Sequence, residues 1–343
     1  MHGSPLVSIV LPYRDSCKTL HRCIDSIDKQ CFRNWELIAI DDNSHDGSRS
    51  IVDTASKNDR RIRSLASSGC GIVDALNSGI QAAKSEIIIR MDSDDVMHPR
   101  RIELQFNFLN QKDDIDLVSS RVEYKSLNES NFNGEGYSLY VDWSNRIISN
   151  EQINLHQFEE SPFAHPSVAF RVKLIKQFGG YKKGCFPEDY ELWLRWLSKG
   201  VKMEKLPQSL LAWHDSPGRL SRASSNYSPD SFRKLKAIYL PLWIKSRNLQ
   251  NRKISVWGAG KVARKQVNYL FDNGVRVERF YDVDKKKIQS GFKGLPVMPI
   301  DKIKKNREEI ILILSGSRGV RSQVTNYLQS KSLVMGIDFI SLV

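Results

Sequence analysis

Cysteine is scarce in this chain of 343 residues: Cys17, Cys23, Cys31, Cys70 and Cys185 are all it has, with no C-x-x-C pair among them. That spacing excludes the common zinc and redox motifs. Reduced thiols in a cytoplasmic protein are the expectation. Long apolar runs are missing as well. A membrane span takes roughly 20 consecutive apolar residues, whereas the N-terminal run LVSIVLPY is of strand length and has no basic leader before it. A secreted or membrane-spanning protein is therefore not expected. Acidic residues are scarce in one part only: residues 201–343 carry 27 Lys and Arg against 11 Asp and Glu, a net of +16, while residues 1–200 carry 25 against 28. Such a basic part favours a polyanionic partner, nucleic acid or an anionic membrane surface, although solvated lysines alone produce the same balance.

A chain this long exceeds one average core, so two domains are expected. From Val7 apolar strands alternate with amphipathic helices. VSIVLP, WELIAI and EIIIRM read as strands, and KTLHRCIDSIDKQ, SRSIVDTASKN and VDALNSGIQAAK as helices. The alternation predicts an α/β fold with a parallel sheet covered on both faces and functional loops at the strand C-termini, where Asp41, Asp42 and the acids from Asp92 to Asp95 fall. Residues 120–160 read as a polar excursion with weak strands, KLIKQFGGY and EDYELWLRWLSKG as helices, and residues 216–231 as a mobile Ser- and Pro-rich loop. The boundaries drawn are a first domain over 1–230, a basic helical connector over 231–252 and a Rossmann-like α/β domain over 253–343.

In IIIRMDSDD three carboxylates, Asp92, Asp94 and Asp95, crowd the end of an apolar strand. Like charges so placed repel. A divalent cation is the simplest compensation, and an all-oxygen ligand set suits Mg²⁺ or Mn²⁺. The other reading is that Asp94 or Asp95 caps a helix starting near Pro99.

VSIVLPYRD, WELIAIDDNSHDGS, GIVDALNSGIQAAKSEIIIRMDSDD and FPEDYELWLRW, in this order, resemble the family 2 glycosyltransferases over about residues 6–225. The resemblance implies a GT-A nucleotide-sugar-binding fold and inverting transfer, with a D-x-D element holding Mn²⁺ or Mg²⁺ against the donor diphosphate. Carried over by position, Pro12 begins the loop beneath the nucleotide base and Asp42 accepts a hydrogen bond from uracil. Asp92 faces the ribose or sugar beside the metal, and Asp94 ligates the metal directly. Asp189, in the Glu188-Asp189 pair, matches the general base. His214 falls where relatives touch metal or diphosphate, and Arg219 and Arg222 would close over the phosphates. The chain departs from the family at Pro12-Tyr13-Arg14-Asp15, where relatives read P-x-aromatic-N, which leaves Arg14 or Tyr13 to stack on the base. The Q-x-x-R-W signature of processive synthases is absent, which implies transfer of a single sugar. Plainer readings stand beside these: Asp42 as a turn cap, Glu188 and Asp189 as first-turn helix acids, His214 as a structural histidine, and Trp193, Trp196 and Trp213 as core.

Further on, VWGAGKVAR places Gly258-x-Gly260-x-x-Ala263 between a strand and a helix, with Asp282 ending the next strand. This matches the dinucleotide fingerprint in type and spacing. Nothing nearby supplies redox chemistry, so a docking role is expected over a bound dinucleotide. With this segment following the catalytic one, the chain resembles those members of the family that move galactose from UDP-galactose to queuosine in tRNA. That resemblance implies UDP-galactose as donor and tRNA as partner, and the charge of the basic part agrees independently, with Lys285, Lys286, Lys287, Lys302, Lys304, Lys305 and Arg307 placed to hold tRNA phosphates. Two other functions stay open: transfer to a bacterial envelope glycan or lipid-linked saccharide, and a non-catalytic nucleotide-binding module.

Overall fold

The computed structural model describes residues 4–126, 135–215, 219–315 and 319–343. The chain divides into two compact units, one of Met1–Ile153, Pro162–Gly184 and Glu188–Ser224, the other of Asn154–Ser161, Cys185–Pro187 and Ser225–Val343.

In the first unit the strands are β1 (Val7–Tyr13), β2 (Trp35–Asp41), β3 (Ile62–Ala66), β4 (Ile87–Arg90), β5 (Val96–Met97), β6 (Leu117–Ser126), β7 (Ala169–Arg171) and β8 (Met203–Asp215). They form one sheet in the order β3-β2-β1-β4-β7-β6-β8-β5. The half β3-β2-β1-β4 is parallel, as the alternation predicts. Beyond β4 the sheet turns mixed: β7 runs antiparallel to both β4 and β6, and β8 is parallel to β6. Every residue of β1 and β2 is buried, as a sheet covered on both faces requires. On one face Ile9 and Leu11 meet Leu20, Cys23 and Ile27 of the helix Leu20–Asp28. On the other Val10 and Ile40 meet Leu76 and Ile80 of the helix Ile72–Ala82 together with Trp193 and Trp196.

Within residues 120–160 the described part beyond β6 is helical, Glu135–Ser144 and Asn150–His156, where weak strands were expected. Val141, Ser144 and Ile153 are buried, so a narrow buried stripe outweighs the polar composition. Of the expected loop at 216–231, residues 216–218 lie outside the described residues. The remainder is ordered as short turns, Leu220–Ala223 and Ser225–Tyr227, leading into a helix at Pro229.

The second unit is a five-stranded sheet of β9 (Lys253–Trp257), β10 (Val277–Asp282), β11 (Val297–Pro299), β12 (Glu309–Ile313) and β13 (Phe339–Ser341). Its order is β11-β10-β9-β12-β13 and every pairing is parallel. The order reverses at β9, the switch point where such sheets open a crevice. The helix Pro229–Ser246 belongs to this unit. Ser228 caps it, with Pro229 in its first turn. Its Lys236 is buried and donates to the carbonyls of Glu159 (2.7 Å) and Leu342 (3.0 Å) of the same unit. Among the described residues no helix is long and apolar enough to cross a membrane.

Candidate active site and metal centre

The strand β4 ends at Arg90, and the turn after it brings Asp92, Asp94 and Asp95 together with ligand oxygens all within 4.8 Å of one another. The turn is held from below: Arg22 donates to the Asp94 carbonyl at 2.6 Å, Cys23 to the Asp92 carbonyl at 3.3 Å, and Ser16 and Ser93 share a hydrogen bond of 2.8 Å. Neither Asp94 nor Asp95 caps a helix. The following helix, Arg101–Gln111, starts later with Arg100 at its N-cap and no side-chain cap bond. Asp95 is fully buried. One of its oxygens accepts the His214 N–H at 2.8 Å, and the other has no hydrogen-bond partner among the described residues.

Arginines that the sequence reading did not single out supply part of the compensation the crowded acids need. Arg90 is buried and ion-pairs with Asp92, and Arg219 approaches the other Asp92 oxygen at 3.8 Å. Behind them Arg101 is fully buried, donating to the Arg90 carbonyl (2.9 Å) and to Gln105 (3.0 Å). Burial pushes its guanidinium down to about 9, against the pull of Asp95. The arginines do not complete the balance. Burial holds the Asp94 carboxyl above its ordinary range despite Arg219, and burial with the Asp94 charge holds Asp95 well above it. A buried, partnerless Asp95 oxygen beside two further carboxylates fits a hard divalent cation.

His214 enters this site through its main chain. Its imidazole Nδ1 faces the Ala212 carbonyl at 3.1 Å, burial pushes the ring toward the neutral form, and the close ligand group is the three aspartates without it. Arg219 lies over the Trp213 ring at 4.2 Å and donates to the His214 carbonyl at 2.6 Å. Arg222 is drawn to the fully buried Asp215 by two bonds of 3.2 and 2.6 Å, and lies 4.4 Å over Tyr137.

The second acidic pair opens the helix Glu188–Ser198. The Asp189 carboxylate accepts the Tyr190 N–H at 2.7 Å. Burial, and then the Glu188 charge, push Asp189 up to about 7, with Arg90 pulling the other way. His165, a residue the sequence reading missed, faces Glu188 at 3.9 Å and shares a 2.8 Å hydrogen bond with the Tyr181 hydroxyl. Burial and the charges of Arg90 and Arg219 keep His165 neutral. The charge of Arg90 thus reaches both acidic groups.

At the C-terminal end of β1, on the same edge of the sheet as the triad, the structure revises the reading. The strand runs through Pro12 to Tyr13, so the loop begins at Arg14. Pairing with β4 stops at Val10–Arg90, and the missing Pro12 N–H leaves no ladder bond unmade. Tyr13 is 2% exposed and packs in the core with Leu11 and Leu37, which removes it as a platform for a base. Side-chain alternation along the strand explains this, since Val7, Ile9, Leu11 and Tyr13 share a face. Arg14 is the half-exposed one, 3.9 Å from Asp42. Asp42 is buried and accepts the Gly71 N–H at 2.8 Å with its other oxygen. Trp193 and Trp196 are fully buried, and Trp213 packs against Tyr124, Tyr137 and Tyr140 as core.

The chain is similar to known proteins. The glycosyltransferase GlyG of Streptococcus pneumoniae is 34% identical over 180 residues, 51% of this chain and 58% of that one. The UDP-Gal:alpha-D-GlcNAc-diphosphoundecaprenol beta-1,3-galactosyltransferase of Escherichia coli is 29% identical over 206 residues, covering 60% of this chain and 72% of that protein. The crystal structure of residues 1–349 of S. aureus TarS with UDP-GlcNAc superposes on 71% of this chain and 70% of its own, with a TM-score of 0.53 at 15% identity, a likeness of fold. Residues 8–179, half of the chain, match Glycosyl transferase family 2, and the stretch includes β2, β4, Asp42 and the aspartate triad. The chain belongs to glycosyl transferase family 2.

Proposed function

We propose that this enzyme moves one sugar, with inversion, from a UDP-sugar to a hydroxyl acceptor, with Asp94 and Asp92 holding Mn²⁺ or Mg²⁺ and Asp189 as general base. One observation carries the reading: two acidic sites of unlike environment lie in the same unit, a triad with a partnerless buried oxygen and a carboxyl pushed up to about 7. Two carboxyl groups held at different proton affinities divide the labour of catalysis. When bound, the cation neutralises the departing diphosphate. The chain's own groups do the rest. Asp189 in its ionised form takes the acceptor hydroxyl proton, and burial, with the Glu188 charge beside it, keeps its proton affinity near working pH. Arg219, fixed over Trp213, stands ready for the diphosphate, while Asp42 and Arg14 bound the place of the uracil.

UDP-galactose is the favoured donor, supported by the name of the E. coli relative. The same name supports an acceptor saccharide carried on a lipid diphosphate, and the basic residues 201–343 suit an anionic membrane surface. The second reading is queuosine in tRNA, favoured by the same positive charge. Incubation with UDP-galactose, UDP-glucose and UDP-N-acetylglucosamine in the presence of either lipid-linked saccharide in liposomes or total tRNA, with mass spectrometry of both fractions, separates them. A hexose on the lipid-linked saccharide is the expected product. A hexose on a tRNA nucleoside establishes the second reading, and consumption of none of the donors sinks both.

A further inference from the structure

Two concavities adjoin on the second unit and share Gly260, Lys261 and Lys287. The first, about 700 Å³, opens at the carboxyl ends of β9, β10 and β12, with Gly258, Asp282 and Ser315 around it and Tyr327 in its wall. The second, about 710 Å³, is lined by Lys261, Arg264, Lys265, Lys287 and Lys293 around Phe292, with no carboxylate in its lining. Lys265 is paired with Asp230 and Lys287 with Asp282. Among the described residues Lys261, Arg264 and Lys293 form no ion pair with an acid, although Arg264 lies 4.8 Å over Phe292 and Lys293 donates to Asn268 at 2.8 Å. Cations converging on one concavity repel one another, and a bound polyanion relieves this.

The boundary between the two concavities has room for phosphate. Gly260 has an ordinary extended backbone, φ −76° and ψ 174°, and a Cβ added there meets nothing within 4 Å. Neither conformation nor packing calls for glycine at that position. Gly258 differs, with a φ of +102° that the turn itself requires. At the mouth of the first concavity Val283 is 69% and Val262 43% exposed, apolar surface suited to one face of a ring. Asp282 is not free to read a ribose: its oxygens accept from the Ala259 and Asp284 N–H groups at 2.7 and 2.9 Å and from Lys287.

We propose that the second unit binds a nucleoside polyphosphate, its diphosphate beside Gly260 and within reach of Lys261 and Arg264 and its base against Val283. This site is independent of the donor cleft of the first unit. Calorimetry on the full chain in EDTA, which removes the cation from the aspartate triad, tests it with ADP, NAD⁺ and adenosine as probes. Saturable binding of ADP or NAD⁺, at least tenfold tighter than adenosine, is expected. Gly260→Val, with its fold checked by circular dichroism, and the surface variant Lys261→Glu each weaken that binding at least tenfold and leave sugar transfer unchanged. Absence of saturable binding by ADP and NAD⁺ at millimolar concentration overturns the proposal, as does binding unchanged in both variants. Loss of tRNA binding in both variants, with no ADP binding in the parent, assigns the face to RNA and overturns it too.

Discussion

Burial and the neighbouring Glu188 hold Asp189 up at about 7, so a base at this position works better as pH rises through that value. The rate of transfer is expected to climb from pH 6 to pH 8, and Asp189→Asn to lower kcat about 10²- to 10⁴-fold while the affinity for UDP with Mn²⁺ stays unchanged. Stability runs the other way. A carboxyl whose folded value is raised favours the folded state below its unfolded value of 3.8 and loses that contribution as pH rises through about 7. Asp189→Asn removes the penalty of a buried charge, so at pH 8 it melts above the parent by roughly 2–6 °C, and at pH 4.5 the gap narrows. Calorimetric scans at the two pH values check this. At the triad, Asp94→Ala is expected to weaken UDP binding in Mn²⁺ about 100-fold and to abolish its dependence on the metal. Binding of equal strength with and without Mn²⁺ in the parent would contradict that role.

The helix Ile72–Ala82 lies so close to β1 and β2 that a Cβ at Gly79 would stand 2.6 Å from both Val10 and Ile40. Gly79→Ala gains helix propensity yet overpacks this crossing, so a net loss of about 1–3 kcal/mol in urea unfolding is expected. At the end of β8 the fully buried Asp215 holds Arg222 and accepts the Tyr124 hydroxyl at 2.9 Å. Asp215→Asn is expected to cost about 1.5–3 kcal/mol, because the charge-assisted bonds to the partly solvated Arg222 become neutral ones. Elements of this kind divide into legible and illegible. The strands β1, β2 and β4 and the helices between them could be read directly, because local apolar periodicity decides them. Strand β7 has three residues and β8 carries Pro207 and a run of polar residues, and both owe their place to long-range pairing with β6 that no local pattern announces. The aspartate triad was legible as a string of acids. Arg101, eleven residues after Arg90 in the sequence and fully buried behind it, was not, since a basic residue at a helix start reads as surface. The burial of Tyr13 follows from its strand face, shared with Ile9 and Leu11, and not from its chain neighbours.

The two units divide the charge of the chain, and the glycine turn together with the basic composition marked the second one in advance, whereas its adjoining concavities depend on which residues the parallel sheet brings together. If the short helix Lys285–Ser290 contributes to a polyanion surface, replacing Lys285 and Lys286 with Glu weakens binding to anionic liposomes, with the largest effect at low salt. Cosedimentation over a salt series reads this, and unchanged binding removes the helix from the surface. Sugar transfer as proposed depends on where the cation sits relative to the departing diphosphate. A crystal of the full chain soaked with UDP and Mn²⁺ tests this most directly. The expected result is an ion about 2.0–2.6 Å from an Asp94 oxygen and bridging to the diphosphate. An ion elsewhere, with UDP bound away from Asp92 and Asp94, would contradict it.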